Sequence, residues 1–476
     1  RILVFGLVVA FCAQDVRGVD QLKNFCRRFE HRTAVVNNKL YIEGGYFNAK
    51  DLGTNYTNDQ FLYSDLLVLS NALPAVKATP QLDEKTVPSI AGGALWSDEI
   101  NGRFYAFGGY LSAGDPSPFQ TWTYDTLQSK WSAVTTTGDK MVYVARGMSA
   151  IAPDAGTAFY LGGYHDNRTD QSWTAPRSYS SSLVEFDMVN RKYTNHSGPN
   201  DSGRGEGLAV FVPASNTGLL IYFGGVVQAK RTKELTWQNI WIYDISLKKW
   251  YQQIATGDIP EARSRFCGAV AWPDDKSSYN IYLYGGLHQN GSALSDVYVL
   301  SLPAFVWVKL YSDSTKWGHH SMTCDIVNGT QMIVMGGTFP LTTECDAPET
   351  LGQHNVDLGT LIDSTKIWQP FNQNNPPYRV PDVLVKVIGG TVRGGANATG
   401  PATNQTFDKY LFEKEYKVPQ RYATPIDTAS ATGTQAPDTS SANGPTRGLL
   451  IGVIVGALAG GTVIGIIAFY ILNYMR

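Results

Sequence analysis

The sequence predicts an all-β repeat protein built from six four-stranded sheets, followed by one membrane-crossing helix near its C-terminus. Three observations lead there. A Gly-Gly pair closes a short hydrophobic run six times, at a spacing that averages about 58 residues between Gly45 and Gly337. Aromatic residues make up 12% of the 476 residues and glycine contributes 47, whereas only 17% are charged. That balance favours short strands and tight turns over charged helices. Finally, residues 449–472 contain 24 positions without a charge, about 36 Å of helix and enough to cross a bilayer.

From the N-terminus, residues 1–13 read as a signal peptide. The run ILVFGLVVAFCA after Arg1 is 12 residues long, too short for about 30 Å of hydrocarbon but right for a signal core. Beyond it the cysteines are Cys26, Cys267, Cys324 and Cys345, an even number that suits an oxidising compartment. Asn-x-Ser/Thr sequons begin at Asn55, Asn167, Asn195, Asn200, Asn290, Asn328, Asn397 and Asn404, all on the outer side of the expected helix. A glycosylated ectodomain over residues 22–418 follows from them.

Within that ectodomain the Gly-Gly pairs are Gly44-Gly45, Gly108-Gly109, Gly162-Gly163, Gly224-Gly225, Gly285-Gly286 and Gly336-Gly337. Glycines at a strand end admit positive φ and let neighbouring backbones approach. A second marker follows each pair. Tyr124-Asp125 precedes Trp131, Phe186-Asp187 precedes Tyr193 and Tyr243-Asp244 precedes Trp250. Degenerate copies run from Leu69-Ser70 to Val76, Leu300-Ser301 to Trp307 and Phe371-Asn372 to Tyr378. The aspartate starts a turn, and the aromatic ring supplies an apolar wedge between sheets. An apolar strand precedes each Gly-Gly strand, so one repeat reads as inner strand, Gly-Gly strand, third strand and aromatic-bearing outer strand.

These residues resemble the kelch-repeat family, whose repeats form the blades of a β-propeller. The segments NFCRRFEHRTAVVNNKLYIEGGYFN, FCGAVAWPDDKSSYNIYLYGG and VLVKVIGGTVRGGAN look like fungal cell-surface kelch proteins with one C-terminal span. The resemblance implies a kelch-type propeller of six blades, at about 31–76, 90–131, 147–193, 205–250, 266–307 and 319–378. Residues 383–391 resemble one more Gly-Gly strand and are taken as a closing segment, a seventh composite blade being the alternative. Residues 419–447, rich in Pro, Ser, Thr and Ala, read as an unfolded stalk. A short cytosolic tail, 473–476, follows the transmembrane helix. Gly452, Gly456 and Gly460 have the small-xxx-small spacing of a helix dimer.

Lys+Arg at 39 against Asp+Glu at 41 excludes the basic excess of a nucleic-acid binder. No Gly-x-Ser-x-Gly, His-Glu-x-x-His or Cys-x-x-Cys occurs, so no catalytic residue, metal ligand or cofactor is assigned. Arg146, Arg204, Arg263 and Arg265 precede inner strands; they either bond loop carbonyls or ring a channel mouth suited to an anion. Cys324 and Cys345, on the inner strand of blade 6 and just after its Gly-Gly strand, are expected to pair. The long loops of blades 1, 3 and 6 are expected to share one binding face, with Tyr164, His165 and Trp173 as its contacts. The expected function is a non-enzymatic, type I single-pass, cell-surface or endomembrane propeller that binds an extracellular protein or cell-wall glycan. A carbohydrate-active or copper radical oxidase-like enzyme of the secretory pathway is the alternative.

Overall fold

A computed structural model of the chain describes residues 19–50, 54–58, 60–79, 87–112, 114, 118–228, 237–312, 317–359, 366–374, 376–402 and 407–423. The expected signal peptide at 1–13, most of the stalk and the apolar segment 449–472 lie outside them. Among the described residues, no helix is long and apolar enough to cross a membrane.

Strands dominate, and most fall into six successive, mainly antiparallel sheets in the order inner, Gly-Gly, third, outer, the sixth without its outer strand. The inner strands are Arg32–Val36, Ala94–Asp98, Met148–Ala152, Leu208–Val212, Cys267–Ala271 and Thr323–Val327. Each contacts the next, and the last contacts the first. The ring is therefore closed between the N-terminal and C-terminal sheets, as in a propeller.

Burial explains why the Gly-Gly strands read as continuous apolar runs. Each is sandwiched between two blades, so both of its faces need side chains. In Leu219–Phe223, Leu219, Ile221 and Phe223 join the core shared with blade 5, whereas Leu220 and Tyr222 join the core shared with blade 3. Six such cores alternate with six blades. The last joins Leu40, Ile42 and Leu62 of blade 1 to Val327, Ile333 and Met335 of blade 6. Each fully buried aliphatic or aromatic side chain contributes about 1.5–3 kcal/mol.

Two tiers of backbone hydrogen bonds lock the blades together. The second glycine of each pair donates its N–H to the next blade: Gly45 to Ile90 O, Gly109 to Val144 O, Gly163 to Arg204 O, Gly225 to Arg263 O, Gly286 to His319 O and Gly337 to Arg28 O, at 2.7–3.2 Å. Gly45 has φ +74°, and a Cβ there would lie 2.4 Å from His31 N. Only glycine fits so close a crossing.

The second tier lies two residues ahead of each inner strand. Gly92 N donates to Glu30 O, Arg146 N to Gly92 O, Glu206 N to Arg146 O, Arg265 N to Glu206 O, Ser321 N to Arg265 O and Glu30 N to Ser321 O, at 2.7–3.0 Å. This is a closed ring of six amides, one from each blade. Its members have φ between 53° and 64°, a left-handed conformation that turns successive N–H and C=O groups along the ring.

Several expectations need correction. In blade 1 the turn aspartate is Asp65, which faces Lys39 as Asp125 faces Arg103. An irregularity between Asp65 and Leu69 displaces the marker read at Leu69-Ser70. In blade 6 the third strand is Gln353–Asp357, with Asp357 opposite Gln331. Phe371-Asn372 begins no strand, and the sheet has three strands. Tyr378 instead packs on blade 5, its hydroxyl 2.6 Å from that of Tyr282. Residues 383–391 do not extend into a strand. After Pro381, the segment Asp382–Ile388 is helical, with Leu384 and Ile388 buried against blades 5 and 6 and Val383 and Val387 exposed. Its apolar residues recur at helical spacing, which outweighs their β-branching.

Packed structure continues past position 418, where the stalk was expected to begin. Leu411 enters the core between blades 4 and 5, and Tyr416 packs on Phe211. Arg421 then forms a buried ion pair with Asp98 of blade 2 at 2.7 Å. The last described stretch thus straps across blades 5, 4, 3 and 2.

Candidate functional site

The hydrogen-bonded ring of amides carries its side chains into one mouth of the central channel. In chain order these are Glu30, Gly92, Arg146, Glu206, Arg265 and Ser321, so acids and bases alternate. Arg146 hydrogen-bonds Glu30 and also reaches Glu206 Oε1 at 3.3 Å, whereas Arg265 Nε donates to Glu206 Oε2 at 2.9 Å. Tyr110 donates to Glu30, and Tyr179 to Glu206 at 3.3 Å. Burial pushes the Arg146 guanidinium down, but Glu30 and Glu206 outweigh it and hold the side chain charged above its usual range. Burial, with Arg265 and Arg146 beside it, holds His320 down to about 4. Behind the mouth the inner strands enclose a cavity of about 510 Å³.

This disposes of a guanidinium ring for an anion. Of the four arginines, Arg146 and Arg265 reach the mouth, and both are neutralised there. Arg204 turns into the blade and bonds Asn200 and Ser202 O, whereas Arg263 pairs with Asp296 and donates to Gly285 O. The sequence reading missed Glu30, Glu206 and Tyr179. The available signal was the residue two places ahead of each inner strand.

Tyrosines ring the same face. Tyr46, Tyr110 and Tyr164, each following a Gly-Gly pair, lie with successive ring centroids 6.4 Å apart. The blade 3 loop covers them: Arg168 stacks 3.9 Å over Tyr110 and donates to the Tyr46 hydroxyl at 2.5 Å, and Arg177 stacks 3.9 Å over Tyr164. Loops of blades 1 and 3 therefore meet across blade 2.

Among the expected contact residues, Tyr164 is buried. Strand alternation turns it inward and its neighbour His165 outward, so Tyr164 supports the loop rather than presenting itself. His165 and Trp173 do come together, stacked at 5.5 Å and half-buried. Trp173, Asp166, Asn167 and Arg177 border a cavity of about 730 Å³. Asn55, Asn167, Asn195, Asn200, Asn290, Asn328 and Asn397 are exposed; Asn404 lies outside the described residues.

The disulfides differ from expectation. Cys26 pairs with Cys345 and Cys267 with Cys324. Cys267 and Cys324 lie on the inner strands of adjacent blades, with Cα atoms 5.4 Å apart. Cys345 is claimed by the N-terminal strand Phe25–Phe29, which crosses to blade 6 and bonds Gly337 and Asp346 through Arg28 O and Cys26 O. All four cysteines are thus engaged, which leaves none of them for a thioether to tyrosine in a copper radical site.

The KLHDC2/KLHL20/DRC7 Kelch-repeats domain model matches residues 30–276. A Kelch repeat-containing protein of Arthroderma benhamiae is 28% identical over 516 residues, covering 94% of this chain and 74% of that one. Acyl-CoA-binding domain-containing protein 4 of Arabidopsis thaliana is 25% identical over 289 residues, which cover 59% of this chain and 38% of that protein. The solved structure titled "Structure of YjhT" superposes with a TM-score of 0.47 at 14% identity, over 66% of this chain and 91% of its own.

Proposed function

Because the chain belongs to the kelch-repeat family, we propose that it is a non-enzymatic binding module that takes a protein or glycan ligand on its loop face. The observation that carries this is the ledge of Trp173 stacked on His165, beside Arg177 and the cavity of about 730 Å³. A flat, half-buried aromatic ring with charged neighbours stacks on sugars or docks peptide. The ledge rests on a blade 3 loop pinned to two other blades by Arg168. A pre-organised loop loses little entropy when it binds.

The propeller, in this reading, stands outside the cell or in a lumen on a stalk with one membrane span. Two disulfides support an oxidising compartment, and the exposed sequon asparagines fit the same side of a membrane. A fragment covering 22–423, which keeps the Arg421 strap, would be applied to glycan arrays and to intact cells. Trp173→Ala and shortening of the 48–63 loop should each weaken binding about tenfold or more. Parental binding by both folded variants would place the site elsewhere.

A further inference from the structure

Beside the loop of blade 6, three side chains from distant positions converge. His319 precedes the inner strand of blade 6, His354 lies on its third strand, and Asp346 sits in the intervening loop. Asp346 Oδ1 is 2.7 Å from His354 Nε2 and 3.6 Å from His319 Nε2. All three ligand atoms lie within 4.8 Å of one another. A tetrahedral zinc with bonds near 2.0–2.1 Å needs ligand atoms about 3.3 Å apart. The observed separations bracket that value.

Asp346 Oδ1 and His354 Nε2 hydrogen-bond each other at 2.7 Å, a bond that a cation between them would replace. His319 Nε2 and Asp346 Oδ2 are buried and have no hydrogen-bond partner, although their side chains are only 4% and 2% exposed. Unsatisfied buried polar atoms of this kind are rare and costly. The other imidazole nitrogen, His319 Nδ1, lies 3.0 Å from the Tyr284 hydroxyl. A proton on Nδ1, donated to that oxygen, presents Nε2 as a lone pair, which is how outer groups orient metal-binding histidines. Phe339 packs on the His319 ring with centroids 4.0 Å apart and Trp368 on His354 at 4.5 Å. Arg27 does not compete for the carboxylate: it donates to Phe339 O, Thr342 O and Glu344 O and so fixes the loop. The Cys26–Cys345 disulfide anchors the residue next to Asp346.

We propose that His319, Asp346 and His354 bind a divalent first-row cation, zinc by preference, through Nε2, a carboxylate oxygen and Nε2. Two imidazoles and one carboxylate match borderline cations rather than calcium or magnesium. Three protein ligands leave a fourth position for water or a small donor, and the cluster borders a cavity of about 600 Å³ lined also by Tyr311 and Trp317. The proposal stands apart from ligand binding at Trp173.

The full-length chain, stripped with a chelator, would be titrated with zinc by calorimetry and with cobalt by visible absorption. One zinc per chain is expected at this site, with the d–d bands of four-coordinate cobalt. Asp346→Asn and His354→Gln, which keep size and hydrogen bonding, should each weaken zinc binding about 100-fold, and Tyr284→Phe about tenfold. His196→Gln, which alters an imidazole bonded to Glu185 elsewhere, should bind as the parent does. Because His354 is only half-buried, its variant remains informative if Asp346→Asn unfolds. The proposal is overturned if the parent binds no zinc, or if folded His354→Gln binds it as tightly as the parent.

Discussion

Arg146 hydrogen-bonds Glu30 across an intervening blade, passing the ring position that Gly92 occupies. A Cβ on Gly92 would lie 3.1 Å from Arg146 Cγ, so the bare glycine clears the guanidinium's path. Arg146 is also one of two arginines shared by Glu206. The charge balance of the mouth therefore depends on two acids from blades 1 and 4.

Removing the charge at Glu206 should be costly. Its side chain is 5% exposed, and Glu206→Gln leaves Arg265 without its carboxylate and Arg146 with only Glu30. A loss of about 3 kcal/mol in urea unfolding is expected. Burial alone would raise the Glu206 carboxyl, but Arg265 and Arg146 prevail and hold it below its usual range. A lowered carboxyl stabilises the fold above its unfolded value near 4.5, and that contribution fades as pH falls through the folded value. The parent should lose stability below about pH 4.5 more steeply than Glu206→Gln. Parallel curves in that range would argue against the ion pairs.

The Gly-Gly crossing gives a sharper contrast between two substitutions. Gly45→Ala places a methyl 2.4 Å from His31 N and 2.5 Å from Phe29 O, at φ +74°. It should cost at least about 3 kcal/mol and weaken the junction of blade 1 with the N-terminal strand. Gly114→Ala shares a positive φ, +78°, but meets nothing within 4 Å, so about 1 kcal/mol is expected. Equal thermal shifts in the two variants would show that conformation, not proximity, sets the cost.

The repeat was legible because its markers have one physical role each. Asp125 Oδ1 accepts from Leu127 N and Gln128 N, and Asp187 Oδ1 from Val189 N and Asn190 N; both were visible as Asp before a turn. Blade 6 was misread because its outer position is not a regular strand, and Phe371 is bonded to Ala72 of blade 1. The helix at Asp382–Ile388 carries a β-rich composition and depends on tertiary burial of Leu384 and Ile388, which local propensity does not encode. The disulfides and the His319–Asp346–His354 cluster unite residues from the N-terminal strand, three strands of blades 5 and 6 and the segments between them. Spacing along the chain carries no signal for such meetings. At the mouth, Arg204 and Arg263 drew notice as charges, yet the equivalent ring positions are Glu206 and Arg265, two residues further on.

Cross-link mapping tests the closure of the ring. Peptides digested without reduction should contain Cys26 linked to Cys345 and Cys267 linked to Cys324. The first bridge joins residues 319 apart and the second residues 57 apart. Loop-closure entropy gives about 6 and about 4 kcal/mol respectively as upper values. Cys26→Ser with Cys345→Ser should therefore lower the urea midpoint more than Cys267→Ser with Cys324→Ser. Recovery of a Cys324–Cys345 peptide from native protein would refute the crossing of the N-terminal strand to blade 6.

Asp325 offers the opposite pH dependence from Glu206. It lies on the inner strand of blade 6 and lines the channel, where burial pushes its carboxyl up to about 6 despite the hydroxyl of Thr33, which donates to Oδ2 at 2.8 Å. A carboxyl raised in the folded state favours folding while it is protonated. Its contribution is complete below the unfolded value of 3.8 and is lost as pH rises through about 6. The ionised form is thus a burden at neutral pH, softened because the side chain borders a channel rather than a dry core. Asp325→Asn keeps the acceptor for Thr33 and cannot ionise. It should stabilise the protein by about 1–2 kcal/mol at pH 8 and by much less at pH 4.5. Denaturant melts of parent and variant at both pH values decide the matter. A variant less stable at pH 8 than the parent would mean that the charged carboxylate is held by a favourable partner in the channel.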